Sequence, residues 1–311
     1  MTHAHGKTDA LSVFYRDAHA LHQPLADQLQ RETGIDVGWR PLGGLDLAFD
    51  EQEAQSLREW IDFNLSRGAE AQWLDAAALR QAEPDMSHAI LGGALFPQDA
   101  RVDPVLLGEA MLTASIARGT TLHTETHVTA LVPGEGGVDC VLVHPAGERR
   151  AHFDVAVVTA GSWSAALHPA IHVRPIRGQS GRFSGISVRH VVRWGGQHAL
   201  PAGDGALVGG TVEKVDFDLD TTAAAEQELS AWCAHIFKPA TDLQEIRAGL
   251  RPKPRRGRPV IAPVDETGSA FVATGHYKNG ILMAPLTGQV LSRWIMEGSP
   301  DRDMSPFTIQ R

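Results

Sequence analysis

Phe271-Val-Ala-Thr-Gly-His-Tyr-Lys-Asn-Gly280, followed by Ile281-Leu-Met-Ala-Pro285, sets out a short apolar run, a polar loop bounded by Gly275 and Gly280, and the opening of a helix. The helical pattern continues to Glu297 and stops before Gly298. Val155-Ala-Val-Val-Thr-Ala-Gly-Ser-Trp163 has a similar grammar: a continuous apolar run, as in a strand buried on both faces of a parallel sheet, empties into glycine. Ligands of open α/β sheets sit beyond the carboxyl ends of strands, where glycine lets backbone approach closely. A helix N-terminus adds unpaired N–H groups and partial positive charge. The two strand ends are therefore expected to face one ligand carrying an electron-rich carbonyl or an anion.

Upstream, Leu11, Tyr15, Ala18, Leu21, Leu25 and Leu29 recur at steps of three or four, which predicts one helix over residues 9–33 with Gly34 as its stop. Val37 and Trp39, then Leu45, Leu47 and Phe49, flank Pro41-Leu-Gly-Gly44 and predict a hairpin. Helices are expected over residues 51–67, 75–82, 103–118 and 222–237, and strands over residues 90–96 and within 173–210. Residues 122–131, 138–143 and 149–153 predict a β-meander across glycine-rich turns. The order of elements suggests two interleaved domains, as does a length of 311 residues at about 150 residues per domain.

With 37 acidic against 28 basic residues the net charge is −9, which gives no support to a nucleic-acid partner or an anionic membrane surface. No apolar run approaches the roughly 20 residues of a membrane span, and His3, His5, Lys7 and Asp9 stand where a signal peptide has its apolar core, so a cytoplasmic location is expected. Cys140 and Cys233 are too few for a disulfide framework or a zinc knuckle. His123 and His127 are four apart, but in a stretch that alternates like a strand, and no metal site is expected. Arg251, Lys253, Arg255, Arg256 and Arg258 crowd one short segment; an anion nearby and a solvated basic loop both fit that pattern.

Ala248-Gly-Leu-Arg-Pro252, then Gly257, Pro259 and Ile261, and then Ala273-Thr-Gly-His-Tyr-Lys-Asn-Gly-Ile-Leu-Met-Ala-Pro285 resemble the C-terminal signature of the FAD-dependent D-amino acid oxidase superfamily, most of all its glycine oxidase branch, which serves thiamine biosynthesis. Thr33-Gly-Ile-Asp-Val-Gly38, Val102-Asp-Pro104, residues 126–131, Ala160-Gly-Ser-Trp163 and Gly209-Gly-Thr-Val-Glu213 follow in the family's order, so the resemblance spans nearly the whole chain. It implies an α/β (α+β overall) fold in which an incomplete FAD-binding Rossmann-like domain is interleaved with a mixed-sheet substrate domain. The first would take residues 1–34, 98–168 and 249–311, the second residues 35–97 and 169–248. It implies that Val128, Gly161 and the loop His276, Tyr277, Asn279, Gly280, Ile281 and Leu282 bind FAD, and that Arg251 clamps the substrate carboxylate. A planar guanidinium can hold a carboxylate bidentately, which agrees with that role.

The implied activity is oxidation of the amine of a small amino acid (glycine, sarcosine or a D-amino acid) to an imine, with O₂ as acceptor. The cofactor does the chemistry, so no catalytic side chain is expected. The sequence departs from the family at three places. Lys278 stands where the family carries a second arginine, and it is a point charge that cannot fork. His198-Ala-Leu-Pro-Ala202 replaces an aromatic hydroxyl residue and a Pro-Arg pair, which makes His198 a further candidate for the substrate pocket. The family's strand–GxGxxG–helix unit, about 30 residues, is not found, and the chain opens at a point matching the family's first substrate-side helix. A homo-oligomer or a complementing chain is therefore open as a partner. The alternative reading is a truncated, non-catalytic remnant or assembly subunit without bound flavin.

Overall fold

The computed structural model describes residues 9–264 and 266–309; His3, His5 and Lys7 lie outside them. The chain divides into two compact units, each assembled from separated segments. The first comprises residues 9–13, Gly38–Asp103 and Arg177–Gly249, and the second Phe14–Val37, Pro104–Ile176 and residues 250–309.

The first unit is built on a mixed sheet. Its strands are β1 (Gly44–Ala48), β2 (Gln72–Asp75), β3 (Gly92–Phe96), β8 (Val173–Ser184), β9 (Val191–Trp194), β10 (Gln197–Ala202), β11 (Gly205–Gly209) and β12 (Asp242–Pro254), in the order β12-β8-β11-β10-β9-β1-β3-β2. β8 and β12 continue along the chain into the second unit. β1 runs parallel to β9 and antiparallel to β3. Alternation along β1 sends Leu45 and Leu47 to one face, where they join Leu79 of α4 (Ala76–Ala82) and Leu229, Trp232 and Ile236 of α6 (Ala223–Ile236). Asp46 and Gly44 pair with Ala94 and Phe96 across β3, and those two pack with Leu57, Trp60 and Ile61 of α3 (Glu51–Leu65).

Three local signals set these helices. The Asp50 carboxylate accepts from the Glu53 N–H, that of Asp75 from the N–H groups of Ala77 and Ala78, and the Thr222 hydroxyl from the Ala225 N–H. Arg193 of β9 is the polar centre of the unit. Its Nε donates to Asp46 at 2.6 Å and its Nη1 to Asp99 at 2.8 Å, with the Asp99 side chain 1% exposed. Gly44 leaves room for this pair, since a β-carbon there would come within 2.1 Å of the Asp99 carboxylate and force the two side chains to shift.

The second unit has two small sheets. One is ordered β13 (Val260–Pro263), β14 (Ala270–Thr274), β7 (Ala156–Val158), and the other is the meander β4 (His127–Gly134), β5 (Gly137–His144), β6 (Gly147–Phe153). Leu131, Val138, Cys140 and Leu142 of the meander share one core with Val158, Val264, Ala270 and Val272. Helices α2 (His22–Thr33), α5 (Pro104–Ala117) and α7 (Gly280–Glu297) complete the unit, with the greater part of α1 (Ala10–Ala20). The ring of His22 is buried and its Nε2 donates to the Leu282 carbonyl at 3.1 Å, joining α2 to α7. No described helix is long and apolar enough to cross a membrane.

The structure corrects three sequence expectations. The helix over residues 9–33 is two helices, because Pro24 lacks an N–H and its ring would collide with the Ala20 carbonyl; α1 ends at Ala20 and α2 restarts with Pro24 in its first turn. Residues 35–49 form no hairpin. Gly44–Ala48 finds its partners in β3 and β9, and upstream of it only an isolated bridge joins Arg40 to Arg101. Residues 155–158 are not a strand buried on both faces either. β7 is the edge of its sheet, and Val157 is 39% exposed.

Candidate active site

β14 and β7 pair in parallel, Ala270 opposite Ala156 and Val272 opposite Val158, so both strands present their carboxyl ends at the same end of the sheet. The Thr274 hydroxyl donates to the Gly161 carbonyl at 2.9 Å and fixes the two strand exits to each other. Gly161 has φ +54°, and the position its β-carbon would take has no atom within 4 Å. A short 3₁₀ helix, Gly161–Ala166, follows. Its Ser162 and Ser164 hydroxyls are buried without a hydrogen-bond partner among the described residues, while Trp163 is half-exposed.

α7 begins at the same strand exit. Its first helical bond runs from the Met283 N–H to the Asn279 carbonyl, which leaves the N–H groups of Gly280, Ile281 and Leu282 without helical acceptors. The Asn279 side chain does not cap them; its Nδ2 donates to the Tyr15 hydroxyl at 2.7 Å. The result is an uncapped, partially positive helix end with the exposed apolar side chain of Ile281 beside it.

Between β14 and α7 the loop carries the polar chemistry. His276 is pushed down to about 4 by burial, and its Nε2 lies 3.2 Å from the Thr287 hydroxyl, so the imidazole is neutral at neutral pH. Tyr277 holds φ +52°, a left-handed conformation unusual for an aromatic residue, and its N–H donates to the Pro252 carbonyl at 3.2 Å. That bond ties the loop to β12, where Arg251 and Lys253, two residues apart, point to the same face. The Lys253 ammonium lies 5.4 Å and the Lys278 ammonium 5.8 Å from the centre of the Tyr277 ring. Burial depresses Arg251 from its ordinary range. Burial also depresses Lys278, with added repulsion from Arg251 and Lys253.

The structure thus brings together Arg251, Lys278 and Tyr277, and carries His276, Asn279, Gly280, Ile281, Leu282 and Gly161 on the adjoining strand exits. Val128 is exposed on β4 beside a register shift between Val128 and Ala130. His198 belongs to the other unit, half-buried on β10 opposite Gly209. Tyr15, Thr287, Ser162 and Ser164 escaped sequence reasoning. The partner of Tyr15, Asn279, is distant in the chain, that of Thr287, His276, lies across the start of α7, and nothing in a lone serine marks it as buried and unpartnered.

Residues 2–294 match the family described as DAO, FAD dependent oxidoreductase. The chain belongs to this family. It is 29% identical over 310 residues to a glycine oxidase of Geobacillus kaustophilus, covering 94% of this chain and 80% of that one. It is 27% identical to the bifunctional protein ThiO/ThiG of Trichormus variabilis, of which it covers 45%. The crystal structure of glycine oxidase from Geobacillus kaustophilus superimposes with a TM-score of 0.88 at 27% identity, over 98% of this chain and 84% of that one.

The protein is accordingly an FAD-dependent oxidoreductase of the glycine oxidase and DAO type, with the mixed α/β fold of glycine oxidase. The strand exits fit such a cofactor. The open cradle at Gly161, the exposed faces of Trp163 and Ile281 and the uncapped end of α7 together offer a planar, apolar-faced ring with electron-rich carbonyls both contact area and hydrogen bonds.

Proposed function

We propose that this protein oxidises the amine of a small amino acid, such as glycine, sarcosine or a D-amino acid, to an imine with O₂ as the final acceptor. The observation that carries this reading is the cationic group of Arg251 and Lys278 beside the uncapped end of α7. Arg251 binds the substrate carboxylate with its planar fork, and Lys278 supplies a second, undirected positive charge. Bound FAD would supply the two-electron acceptor, held by Val128, Gly161, His276, Tyr277, Asn279, Gly280, Ile281 and Leu282.

The chain's own part is binding, orientation and control of a proton. A carboxylate fixed on Arg251 sets the position of the adjacent α-carbon, which is the main service a protein gives to such a reaction. The same positive field disfavours an ammonium and favours a free amine, the form whose nitrogen lone pair is available to assist oxidation. His276, uncharged and engaged with Thr287, adds no further cation.

In the FAD-loaded protein, Arg251→Ala should raise KM for glycine or sarcosine about ten- to a hundredfold, the equivalent of roughly 1.5–3 kcal/mol for one charge-assisted contact. Arg251→Lys should recover part of that loss. Unchanged KM in Arg251→Ala would overturn the carboxylate assignment, and oxidation of the amine without equimolar peroxide would overturn O₂ as acceptor.

A further inference from the structure

Five basic residues crowd positions 251–258, and the proposed carboxylate clamp uses one of them. Lys253 is the second that β12 sends to the same face. With Lys278 it brackets the ring of Tyr277, at 5.4 Å and 5.8 Å from the ring centre, and Arg251 is close enough to repel Lys278 as well. Neither lysine pairs with a carboxylate among the described residues, although the chain carries 37 acidic side chains against 28 basic ones. Like charges gathered at one place repel, and a fold that only needed to hold a single carboxylate has no use for the third cation. Tyr277 meanwhile is kept in a left-handed conformation by its bond to the Pro252 carbonyl, one residue from each of the two β12 cations. Strain held next to gathered charge is a mark of a binding site.

We propose that the substrate carries a second acidic group and that Lys253 receives it while Arg251, with Lys278, holds the carboxylate next to the reacting amine. The preferred substrate is then an amino or imino dicarboxylic acid, and simple amino acids such as glycine and sarcosine, held through their single carboxylate, are the weaker substrates of the same site. This inference rests on Arg251 as the clamp. It makes Lys253 a specificity-determining residue: the ammonium is a point charge without directional demand, suited to the end of a flexible acid whose other end is already fixed.

Calorimetric titration of the FAD-loaded protein at constant ionic strength tests it with non-reacting acids, malonate and succinate against acetate and propionate. Any contact that FAD itself makes is already satisfied in that form. The dicarboxylates should bind about tenfold tighter or more, as one added charge-assisted contact implies. Lys253→Met should bring them down to the level of the monocarboxylates, and Lys253→Arg should keep most of the preference. Equal affinity for both classes in the parent protein, an unaltered preference in Lys253→Met, or equal loss in Lys253→Arg and Lys253→Met would each overturn the proposal. Failure of the clamp itself has a different signature: Arg251→Ala would then bind acetate as well as the parent does. In turnover, N-(carboxymethyl)glycine should exceed N-methylglycine in kcat/KM, and Lys253→Met should erase that difference.

Discussion

His276 shows how one side chain can couple the site to pH. Its folded value of about 4 lies below the ordinary 6.5 of histidine because burial penalises the charged ring. Above pH 6.5 neither the folded nor the unfolded chain holds this proton, and the residue is neutral in its effect. As pH falls from there towards 4, the unfolded chain takes up a proton that the folded chain refuses, so stability is lost across that window and no further below it. His22 is shifted in the same direction by burial, so the comparison that isolates His276 is with His276→Gln. Urea unfolding at about pH 7 and pH 5 should find the parent's advantage over the variant smaller at the lower pH. A difference that does not move with pH would mean the ring is not held neutral in the folded chain.

At the scale of single elements, caps and chain breakers govern what forms. The Asp75 carboxylate accepts from two N–H groups at the start of a seven-residue helix, so Asp75→Ala should cost about 1 kcal/mol and Asp75→Ser much less, read as the shift of the unfolding midpoint. Such signals were legible: Thr222 before α6, Gly280 and Gly298 around α7, and the glycine turns of the meander all lie next to the elements they bound. Pro24 was equally local, yet an apolar helical stripe runs straight through it, and the stripe masked the break. The strands of the large sheet were not legible as pairs. Leu45 and Leu47 declare a strand, but nothing near them names β9 as a neighbour, because pairing across the intervening chain is decided by the shared core. The same limit applied to the site. Arg251 and Lys278 stood out as residue types; their approach to Tyr277 through the Pro252 carbonyl is a contact between distant segments.

For the molecule as a whole, the features that matter most join segments far apart in the chain. Arg193 links β9 to Asp46 of β1 and to Asp99 beyond β3, and so ties together the middle of the first unit's sheet. Removing it strands two carboxylates in an interior they cannot leave. Arg193→Met should destabilise that unit by about 3–5 kcal/mol, and adding Asp46→Asn and Asp99→Asn to the same variant should restore part of the loss, both measured by urea unfolding. A loss under about 1 kcal/mol would place the triad with ordinary surface pairs.

Interleaving also has a consequence during synthesis. β1 and β3 leave the ribosome early, but the other edge of β1 has no partner until Val191–Trp194 emerges. At about 5–20 residues per second that edge stays open for on the order of ten seconds. The second unit must wait longer still, for β14 and α7. The nascent chain therefore carries half-built sheets for most of its translation, and its yield in a cell should depend on chaperones that shield unpaired strands more than on the stability of the finished fold.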